Sequence, residues 1–455
     1  MDDTIETRIP PTCPEPIAQI LRRAWDHDLA GLKPLLSSSS GRASVQEPTT
    51  GETPLHAAIR ACAGRGDEDG DEDEGARARA VVQELFLSGA IWNDVDGNGE
   101  TPGCVAARLG LRALYAQCVD AGARAEMLFG LLDGYEELES NDGEEDEDDD
   151  DEGEGERDTE QAAAAAAAED DAGVINGAEE GAAPESASAG AVDEDVEIVV
   201  DNTRAFQPPR PAGADDPDVK SEAYLRSDLT YSDGKLVDSS LNGVMMAWET
   251  SIMRASVAAL LPDLAPGRRI LNIGFGMGII DSMFAETRPA RHHIVEAHPA
   301  VLEHINNAPE CKFGRAWEAS GPSEGAYKVH AGKWQDVMPK LLEQGETFDA
   351  IYFDTFGEDY GQLRTFFTEY VPALLEENGI FSFFNGLGAD RQVCYDVYTK
   401  VVEMHLSDAG MDVDWQVLDV DMKGLEEEGK GEWQGVKRRY WTLDKYRLPI
   451  CTLMG

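Results

Sequence analysis

Residues 269–280 read RILNIGFGMGII, and this stretch decides the fold of the chain. Its first part, 270–273, has the composition of a buried strand; three glycines follow at alternate positions, and apolar residues then recur at helical spacing. Glycine suits such a turn because it adopts positive φ values and because a side chain would block the close approach of a flat ligand. The stretch predicts a strand, a tight glycine turn and a helix.

The residue that ends the next predicted strand favours a nucleoside site at this turn. That strand covers 293–295 and runs into Glu296, 20 residues after Gly276. A carboxylate at about this distance lies at the tip of the second strand, where it accepts hydrogen bonds from a ribose diol. Without the carboxylate, the glycine turn would fit a ligand-free connection between strand and helix equally well.

The spacing of the glycines indicates which nucleoside is bound. The dinucleotide fingerprint is G-x-G-x-x-G, whereas here Gly278 comes one residue early and Ile279 takes its place. A G-x-G-x-G turn after the first strand is typical of Rossmann-like S-adenosylmethionine-dependent methyltransferases, whose ligand has a ribose but no phosphate. We therefore predict S-adenosylmethionine as the cofactor. A dinucleotide oxidoreductase is the weaker alternative, which titration with NADH would test.

The charge of the chain is large and unevenly distributed. Of the formal net charge of −51, residues 220–455, with 23 basic and 36 acidic residues, contribute −13, and residues 1–219 contribute −38. No part of the chain has the basic surface that nucleic-acid binding requires, so we expect no direct nucleic-acid partner. The length of 455 residues and the 42% of hydrophobic residues predict two or three domains with real cores.

Cysteine usage and the absence of targeting segments predict the compartment. The seven cysteines are scattered, with neither a C-x-x-C pair nor His/Cys clustering at metal-ligand spacing, so we predict reduced thiols and no metal site. The N-terminus lacks the features of a signal peptide, and no apolar run reaches 18 residues. We expect a soluble protein of the cytoplasm and nucleus, with no membrane segment.

Two similar segments in the N-terminal third, TPLHAA at 53–58 and TPGCVAA at 101–107, resemble the start of an ankyrin repeat. Their spacing of 48 residues exceeds the usual repeat of about 33 because of an acidic insert at 67–74. A third, degenerate helix pair is predicted from 109–118 and 125–132, and His56 is interpreted as structural. We predict an all-α ankyrin-like domain over residues 1–135, which we expect to pack with flanking helices or on its neighbour domain because two or three repeats are marginal alone.

Residues 136–218 are predicted to be an acidic, disordered linker. Seventeen Asp or Glu residues lie between Glu136 and Glu160, and an Ala/Gly/Ser-rich stretch follows. Such a segment buries too little apolar surface to offset its ordering entropy. The alternative is an acidic contact for a basic partner such as a ribosomal protein. The predicted methyltransferase domain covers residues 219–455.

A resemblance extends the interpretation to the acceptor. Residues 244–253 read VMMAWETSIM, which we predict to be a helix; together with the glycine turn, GKWQDV at 332–337 and FDAIYFDTF at 348–356, they resemble guanidinoacetate methyltransferase. In that family two acids hold the substrate guanidinium, and these acids match Glu249 and Asp354. With the ankyrin-like N-terminus, the chain resembles the fungal arginine N-methyltransferase 2 family, which methylates the internal δ nitrogen of arginine in a ribosomal protein.

The resemblance also implies a fold and a set of cofactor contacts. The fold is a seven-stranded sheet with an antiparallel last strand, to which the segments 380–384, 415–420, 440–443 and 450–453 can contribute. The expected cofactor-binding residues are Tyr224, Met245, Met253, Phe275, Gly276, Met277, Gly278, Ile279, Ile280, Glu296, Ala297, His298, Trp334, Gln335 and Asp354.

The chemistry of a guanidinium is consistent with the two predicted catalytic acids. A guanidinium is always protonated, and its planar fork pairs with carboxylates. Methylation requires removal of a proton, for which a carboxylate within hydrogen-bond reach is the expected base. Asp354 follows a predicted strand, at the sheet edge where ligands bind, so we assign it as base or guanidinium ligand, with Glu249 as its partner.

The segment after Asp354 departs from the small-molecule enzyme, which has a short Tyr-Pro turn there, because residues 356–360 carry Glu358 and Asp359 and no proline. One hypothesis is that these acids line the rim of a wider opening and attract the basic flanks of a protein substrate. The alternative is a solvated helix start. At the level of function, the alternatives to a protein arginine methyltransferase are a small-molecule guanidino methyltransferase and an ankyrin-type interaction protein with a non-catalytic cofactor site. The ankyrin-like domain is expected to bind substrate or nucleocytoplasmic partners.

Overall fold

The computed structural model describes residues 3–38, 41–63, 72–140 and 221–455. The predicted acidic linker, apart from residues 136–140, lies outside these ranges. The N-terminal part is helical throughout, with α1 (Ile5–Arg8), α2 (Glu15–Trp25), α3 (Leu29–Ser37), α4 (Pro54–Arg60), α5 (Glu72–Leu87), α6 (Pro102–Arg108) and α7 (Arg112–Ser140).

The two Thr-Pro segments begin helices in the same way. The side chain of Thr53 accepts a hydrogen bond from the backbone N–H of His56 at the start of α4, and Thr101 does the same for Cys104 at the start of α6. Proline follows at the first helical position, where its missing N–H costs nothing. These starts and the α4–α5 and α6–α7 pairs are consistent with an ankyrin-like unit, and the repeat class stays a prediction.

His56 has the structural role expected of it. Its ring is fully buried; Nδ1 is 2.8 Å from the Thr53 hydroxyl and Nε2 is 2.9 Å from the carbonyl oxygen of Glu100. Burial lowers the pKa of His56 to about 4, so the ring is neutral at physiological pH. The histidine therefore connects the two Thr-Pro segments.

The prediction of a third helix pair is wrong. Residues 109–132 do not form two helices: α7 continues without a break as one helix of 29 residues. Gly122 falls between the two predicted helices, but in the structure it lies inside α7 and packs closely against other segments. A Cβ added to it would be 2.6 Å from Val397 and 2.9 Å from Trp92. A glycine within a helical pattern thus marks close packing here and not a helix end.

The larger sheet has seven strands: β4 (Arg269–Ile273), β5 (Arg291–Glu296), β6 (Tyr327–Ala331), β7 (Phe348–Phe353), β8 (Leu375–Phe383), β9 (Met411–Asp419) and β10 (Lys445–Leu453). Their order is β6-β5-β4-β7-β8-β10-β9, and β10 is antiparallel to both of its neighbours. The predicted Rossmann-like methyltransferase sheet is confirmed. Residues 440–443, expected to be a strand, precede β10 instead.

A smaller antiparallel sheet precedes the large one and was not predicted. It consists of β1 (Leu229–Ser232), β2 (Lys235–Asp238) and β3 (Gly243–Met246). The predicted helix over 244–253 therefore begins as a strand, because pairing of β3 with β2 overrides the local helical pattern. A 3₁₀ turn (Ala247–Glu249) leads into α9 (Thr250–Leu260), and this places Glu249 at the joint between strand and helix.

The remaining helices are α8 (Ser221–Leu225), which precedes β1, and those that follow α9: α10 (Ile279–Glu286), α11 (Pro299–Asn307), α12 (Arg315–Glu318), α13 (Trp334–Glu343), α14 (Tyr360–Thr365), α15 (Val371–Leu374), α16 (Gln392–Asp408) and α17 (Met422–Leu425). A single π-helical turn, Phe366–Tyr370, joins α14 to α15. Among the helices described, none is long and apolar enough to cross a membrane.

The N-terminal helices pack directly on α16, as the marginal repeat number predicted. Trp92, Val119 and Ala123 share one apolar cluster with residues of α16, among them Val397. Polar contacts flank this cluster, and the Tyr398 hydroxyl donates to Glu126 at 3.2 Å. The helical unit is thereby held against the methyltransferase domain by both apolar burial and hydrogen bonds.

Candidate active site

A cavity of about 260 Å³ opens at the carboxyl ends of β4, β5 and β7, the edge where open α/β sheets bind ligands. It is also lined by α8, β3, the start of α13 and the segment before β10. The predicted site residues that line it are Tyr224, Met245, Glu249, Phe275, Gly276, Glu296, Ala297, Trp334, Gln335 and Asp354. Those that do not are Met253, Met277, Gly278, Ile279, Ile280 and His298.

The glycine turn has the conformation that its sequence predicts. Gly274, Gly276 and Gly278 have φ values of 91°, 54° and 67°, which are accessible to glycine at little cost. A Cβ on Gly274 would be 1.9 Å from the carbonyl oxygen of Asp354, and one on Gly276 would be 2.7 Å from the sulfur of Met245. Glycine is therefore required both by the backbone angles and by the closeness of the neighbouring segments.

A buried polar network holds this turn in place. The side-chain amide of Asn272 donates to the carbonyl oxygen of Gly274 and to the Asp281 carboxylate, each at 2.8 Å. The other oxygen of Asp281 is 2.9 Å from Nε2 of His292 on β5. The turn is thus tied to α10 and to the neighbouring strand before any ligand arrives.

Glu296 lies where a ribose diol is expected. Its carboxylate accepts hydrogen bonds from the backbone N–H groups of Phe275 at 2.9 Å and His298 at 2.6 Å. Burial raises the pKa of Glu296, and these N–H groups oppose that rise. Each carboxylate oxygen has two lone pairs, so acceptor capacity remains for the two hydroxyls of a ribose.

The start of α13 forms the opposite end of the cavity. Trp334 is buried, and its indole N–H donates to Glu358. The Gln335 amide donates to Glu358 and to Gln362, while its carbonyl oxygen is buried and has no hydrogen-bond partner among the described residues. An unpaired buried acceptor of this kind fits the exocyclic amine of an adenine. The glycine turn, together with Glu296 and Gln335, therefore suits S-adenosylmethionine.

The other predicted cofactor residues do not line the cavity, and their contact with the cofactor stays a prediction. Met253 is fully buried, with its sulfur 3.5 Å from the Tyr352 hydroxyl. His298 caps α11 and approaches the carbonyl oxygen of Tyr224 at 2.9 Å. Gly278 is the N-cap of α10, which carries Ile279 and Ile280, and the N–H of Met277 points to the sulfur of Met245. These residues support the lining residues.

The two predicted catalytic acids lie at the same cavity. Glu249 is 3% exposed; its Oε1 accepts hydrogen bonds from the N–H of Met246 at 2.8 Å and from the Tyr440 hydroxyl. No described residue donates a hydrogen bond to the carboxylate of Asp354. Burial raises the pKa of Glu249 to about 7, and burial together with the nearby Glu249 raises the pKa of Asp354 well above its usual range.

These shifts show what the carboxylate pair is suited to bind. Two largely buried carboxylates that repel each other are costly when ionised and are stabilised by a cation placed between them. We use the term carboxylate pair for Glu249 and Asp354 below. Such a pair with strongly perturbed pKa values in a cleft is typical of a functional site.

The structure also locates the two acids that follow Asp354. Asp359 accepts a hydrogen bond from the N–H of Gln362 at 3.0 Å and caps α14, so the helix-start alternative holds for it. Glu358 accepts from Trp334 and from the Thr355 hydroxyl at 2.7 Å. Both acids line the cavity, and each carboxylate is also hydrogen-bonded within the protein; a role in attracting a protein substrate stays a prediction.

One contact to the carboxylate pair was missed at the level of sequence. Tyr440 lines the cavity and donates to Glu249, from which it is separated by 191 residues. Its segment, 440–443, was predicted to be a strand, and no local pattern distinguishes this tyrosine from the others. Only the pairing of its segment with β3, through the N–H of Gly243 and the carbonyl oxygen of Arg438 at 3.2 Å, brings it to the site.

Comparisons with known proteins agree with this site. The family model described as guanidinoacetate N-methyltransferase matches residues 223–414. Protein arginine N-methyltransferase 2 of Neurospora crassa is 59% identical over 454 residues, covering 100% of this chain and 99% of that protein. The protein of the same name from Gibberella zeae is 58% identical over 449 residues, covering 98% and 94%.

Solved structures add little to this assignment. Spermidine synthase from Thermotoga maritima is 13% identical and covers 50% of this chain and 72% of its own, with a TM-score of 0.32. The relatives and the site together identify the chain as a methyltransferase with S-adenosylmethionine as methyl donor. The chain belongs to the protein arginine N-methyltransferase 2 family.

Proposed function

We propose that this enzyme transfers a methyl group from S-adenosylmethionine to the internal (δ) guanidino nitrogen of an arginine in a protein substrate. The observation that carries the proposal is the carboxylate pair, Glu249 and Asp354, at the cavity that suits the cofactor. The names of the relatives, protein arginine N-methyltransferase 2, support the choice of a protein arginine.

A guanidinium matches the carboxylate pair in charge and in geometry. It carries one positive charge and five N–H donors in a plane, and carboxylates accept these donors in pairs. Its charge lowers the pKa of both carboxyl groups, so that they are ionised when the substrate is bound. The cost of keeping two ionised carboxylates close together at a largely buried site is then offset by the substrate itself.

The carboxylate pair also provides the base that the transfer needs. When bound, S-adenosylmethionine supplies a sulfonium methyl group, whose transfer breaks the carbon–sulfur bond and leaves the electron pair on sulfur. Asp354 accepts the proton that the guanidinium nitrogen loses, and the methylated guanidinium keeps its single positive charge. Glu249 holds the remaining N–H groups, which keeps the acceptor plane fixed during the transfer.

Selection of the internal nitrogen is supported by its proton count. This nitrogen carries a single proton, which Asp354 would accept. The two terminal nitrogens carry four protons between them and suit the acceptor atoms that remain on the carboxylate pair. We propose that the terminal nitrogens are held and the internal nitrogen is presented.

The charge around the cavity favours a basic protein over a free guanidino acid. Five acidic residues line it (Glu249, Glu296, Asp354, Glu358 and Asp359), and Lys333 is the only basic lining residue in the described part of the chain. A guanidino acid would bring its own carboxylate into this negative field, whereas a peptide has none nearby. A ribosomal protein, with its basic character, is the substrate class we propose.

We propose that the N-terminal helical unit binds this substrate or nucleocytoplasmic partners, and that the enzyme acts in the cytoplasm and nucleus. The seven cysteines, all free in the structure, support a reducing compartment. The second candidate function is a small-molecule guanidino methyltransferase, which the match to the guanidinoacetate N-methyltransferase family favours.

The test is radiolabel transfer from S-adenosylmethionine into an extract from cells that lack the enzyme. Macromolecules are separated from small molecules, and labelled peptides are fragmented by mass spectrometry. We expect label on arginine in one small basic protein, with fragment masses that place the methyl group on the internal nitrogen. Glu249→Gln should abolish the label, while Glu343→Gln, at an exposed position on α13, should not. Label confined to the small-molecule fraction would refute the protein substrate.

The pH profile of the reaction should follow the raised pKa values of the carboxylate pair. Below a pH of about 7, Glu249 takes up a proton in the free enzyme and no longer attracts a cation, so kcat/KM should fall by about tenfold per pH unit; the raised pKa of Asp354 acts in the same direction. In the kcat profile the acidic limb should lie at lower pH, because the bound guanidinium lowers both pKa values.

Initial rates at limiting and saturating protein substrate would give the two profiles. Binding of S-adenosylhomocysteine, measured over the same range, separates the carboxylate pair from Glu296, whose pKa is raised as well. A kcat/KM that stays constant from about pH 5.5 to 8 would show that the carboxylate pair does not hold the acceptor.

A further inference from the structure

We propose that Tyr440 is a third member of the acceptor site: its hydroxyl fixes the orientation of Glu249 and accepts one N–H of the substrate guanidinium. The inference rests on the proposed function, because it requires a guanidinium at the carboxylate pair. It assigns a substrate contact to the segment before β10, which lies far from the glycine turn and from Asp354 in the sequence.

The hydrogen bonds at Glu249 define the geometry. Oε1 accepts both the N–H of Met246 and the hydroxyl of Tyr440. No described residue donates to Oε2. One oxygen of the carboxylate is therefore held by two hydrogen bonds, and the other accepts none from the described residues. Rotation of the carboxylate is thereby restricted. A carboxylate held in this way offers its second oxygen to the cavity in one direction.

Tyr440 lines the same cavity, and its hydroxyl oxygen can accept a hydrogen bond. A phenol has one O–H donor and also acts as an acceptor. Its donor is used on Glu249, and the residue lines the cavity. A guanidinium has five donors and no acceptor, so each acceptor near the carboxylate pair is of use to it.

The tyrosine ring is held by aromatic neighbours, so the position of its hydroxyl is fixed. Trp248 stacks on it with 6.1 Å between ring centroids, and Trp433 and Phe384 meet it edge-on at 5.1 Å and 6.4 Å. Its backbone segment is tied to the small sheet, where the N–H of Lys437 donates to the carbonyl oxygen of Leu241 at 2.8 Å. These contacts fix the position of the Tyr440 side chain before the substrate binds.

A neutral acceptor at this position avoids a further negative charge. Glu249 already faces Asp354, and Glu432, whose carboxylate accepts the N–H of Trp248 at 2.8 Å, adds a third negative charge nearby. Another carboxylate in place of Tyr440 would raise the cost of ionising the carboxylate pair. A phenol contributes an acceptor without that cost, and the hydrogen bond that it donates favours the ionised form of Glu249.

Tyr440→Phe tests the inference. We expect kcat/KM for the protein substrate to fall about 30-fold. The variant loses both the hydrogen bond that the hydroxyl donates to Glu249 and the one that it accepts from the guanidinium. The acidic limb of kcat/KM should move up by about one pH unit, because Glu249 loses a donor that stabilises its ionised form. The affinity for S-adenosylhomocysteine should remain within about twofold of wild type.

Tyr395→Phe is the matched control. Tyr395 is buried in the same C-terminal layer and hydrogen-bonds Asn385 and the N–H of Arg447, but it does not line the cavity. Tyr395→Phe should leave the acidic limb of the kcat/KM profile unchanged. A Tyr440→Phe enzyme with the wild-type limb and wild-type kcat/KM would overturn the inference. An equal loss of S-adenosylhomocysteine affinity would show a structural role and would overturn it too.

A binding experiment separates failure of this inference from failure of the proposed function. The probe is N-acetyl-arginine methylamide, titrated into the protein saturated with S-adenosylhomocysteine. If the wild-type protein does not bind it, the acceptor is not an arginine and the proposed function fails along with the inference. If the wild type and Tyr440→Phe bind it equally, the proposed function stands and the inference fails.

Discussion

Replacement of Asp354 by asparagine is expected to lower kcat by about a thousandfold while the affinity for S-adenosylhomocysteine stays within about threefold of wild type. Asparagine has nearly the same shape but accepts no proton and carries no charge. The variant therefore removes the base and half of the negative charge of the carboxylate pair, and leaves the backbone at the end of β7 intact. The residual rate comes from positioning of the two substrates.

The measurement is single-turnover methyl transfer, which isolates the chemical step from product release, together with calorimetric titration of S-adenosylhomocysteine. Asp336→Asn, an exposed position in the first turn of α13, is the control for an Asp-to-Asn change on the same face of the sheet. A kcat above about a tenth of wild type would remove Asp354 from the role of base. A parallel loss of S-adenosylhomocysteine affinity would assign it to the cofactor instead.

The site residues that could be placed from the sequence were predictable for one physical reason. Gly274, Glu296 and Asp354 each stand at the carboxyl end of a strand in the large sheet. Parallel strands bring those ends together at one edge, so a local pattern is enough to place the three residues near each other. The chemistry of each residue type then indicated a turn, a ribose ligand and a base.

The site residues that could not be placed from the sequence depend on pairings between distant segments. Tyr440 reaches Glu249 only because its segment lies beside β3, and no periodicity reports such a contact. Met253 was expected at the cofactor because its segment matches a family motif. In the structure it is buried against Tyr352 and does not line the cavity. A motif identifies a segment, but the direction of each side chain depends on where the local helix begins.

The boundary between β3 and α9 is a second place where the local sequence pattern did not predict the structure. Residues 244–253 have apolar residues at spacings compatible with a helix, yet Met245 pairs with Leu236 in the small sheet. The strand ends where Met246 donates to Glu249, so the predicted catalytic acid lies at the change of structure. Tertiary pairing overrode a local helical pattern at the position where the function required it.

Gly274→Ala is expected to have the largest effect on the cofactor site. The added Cβ would lie 1.9 Å from the carbonyl oxygen of Asp354, a backbone atom that cannot turn away, at a φ of 91°. The N–H of Gly274 and that of Asp354 also bind neighbouring strands, to Val295 and Ile273. We expect a loss of about 3–4 kcal/mol in the free energy of unfolding. Affinity for S-adenosylhomocysteine should fall about 100-fold, because the ends of β4 and β7 must separate.

Gly267→Ala separates the clash from the cost of the backbone angle. Gly267 has a φ of 85°, but nothing lies within 4 Å of the position of its Cβ. This variant should lose about 1 kcal/mol in urea unfolding and keep its S-adenosylhomocysteine affinity. If Gly274→Ala cost no more than Gly267→Ala in both measurements, the strand ends would be free to adjust and the turn would need glycine for its φ alone. A larger loss confined to Gly274→Ala would establish that the close approach of Asp354 fixes both the fold and the cofactor site.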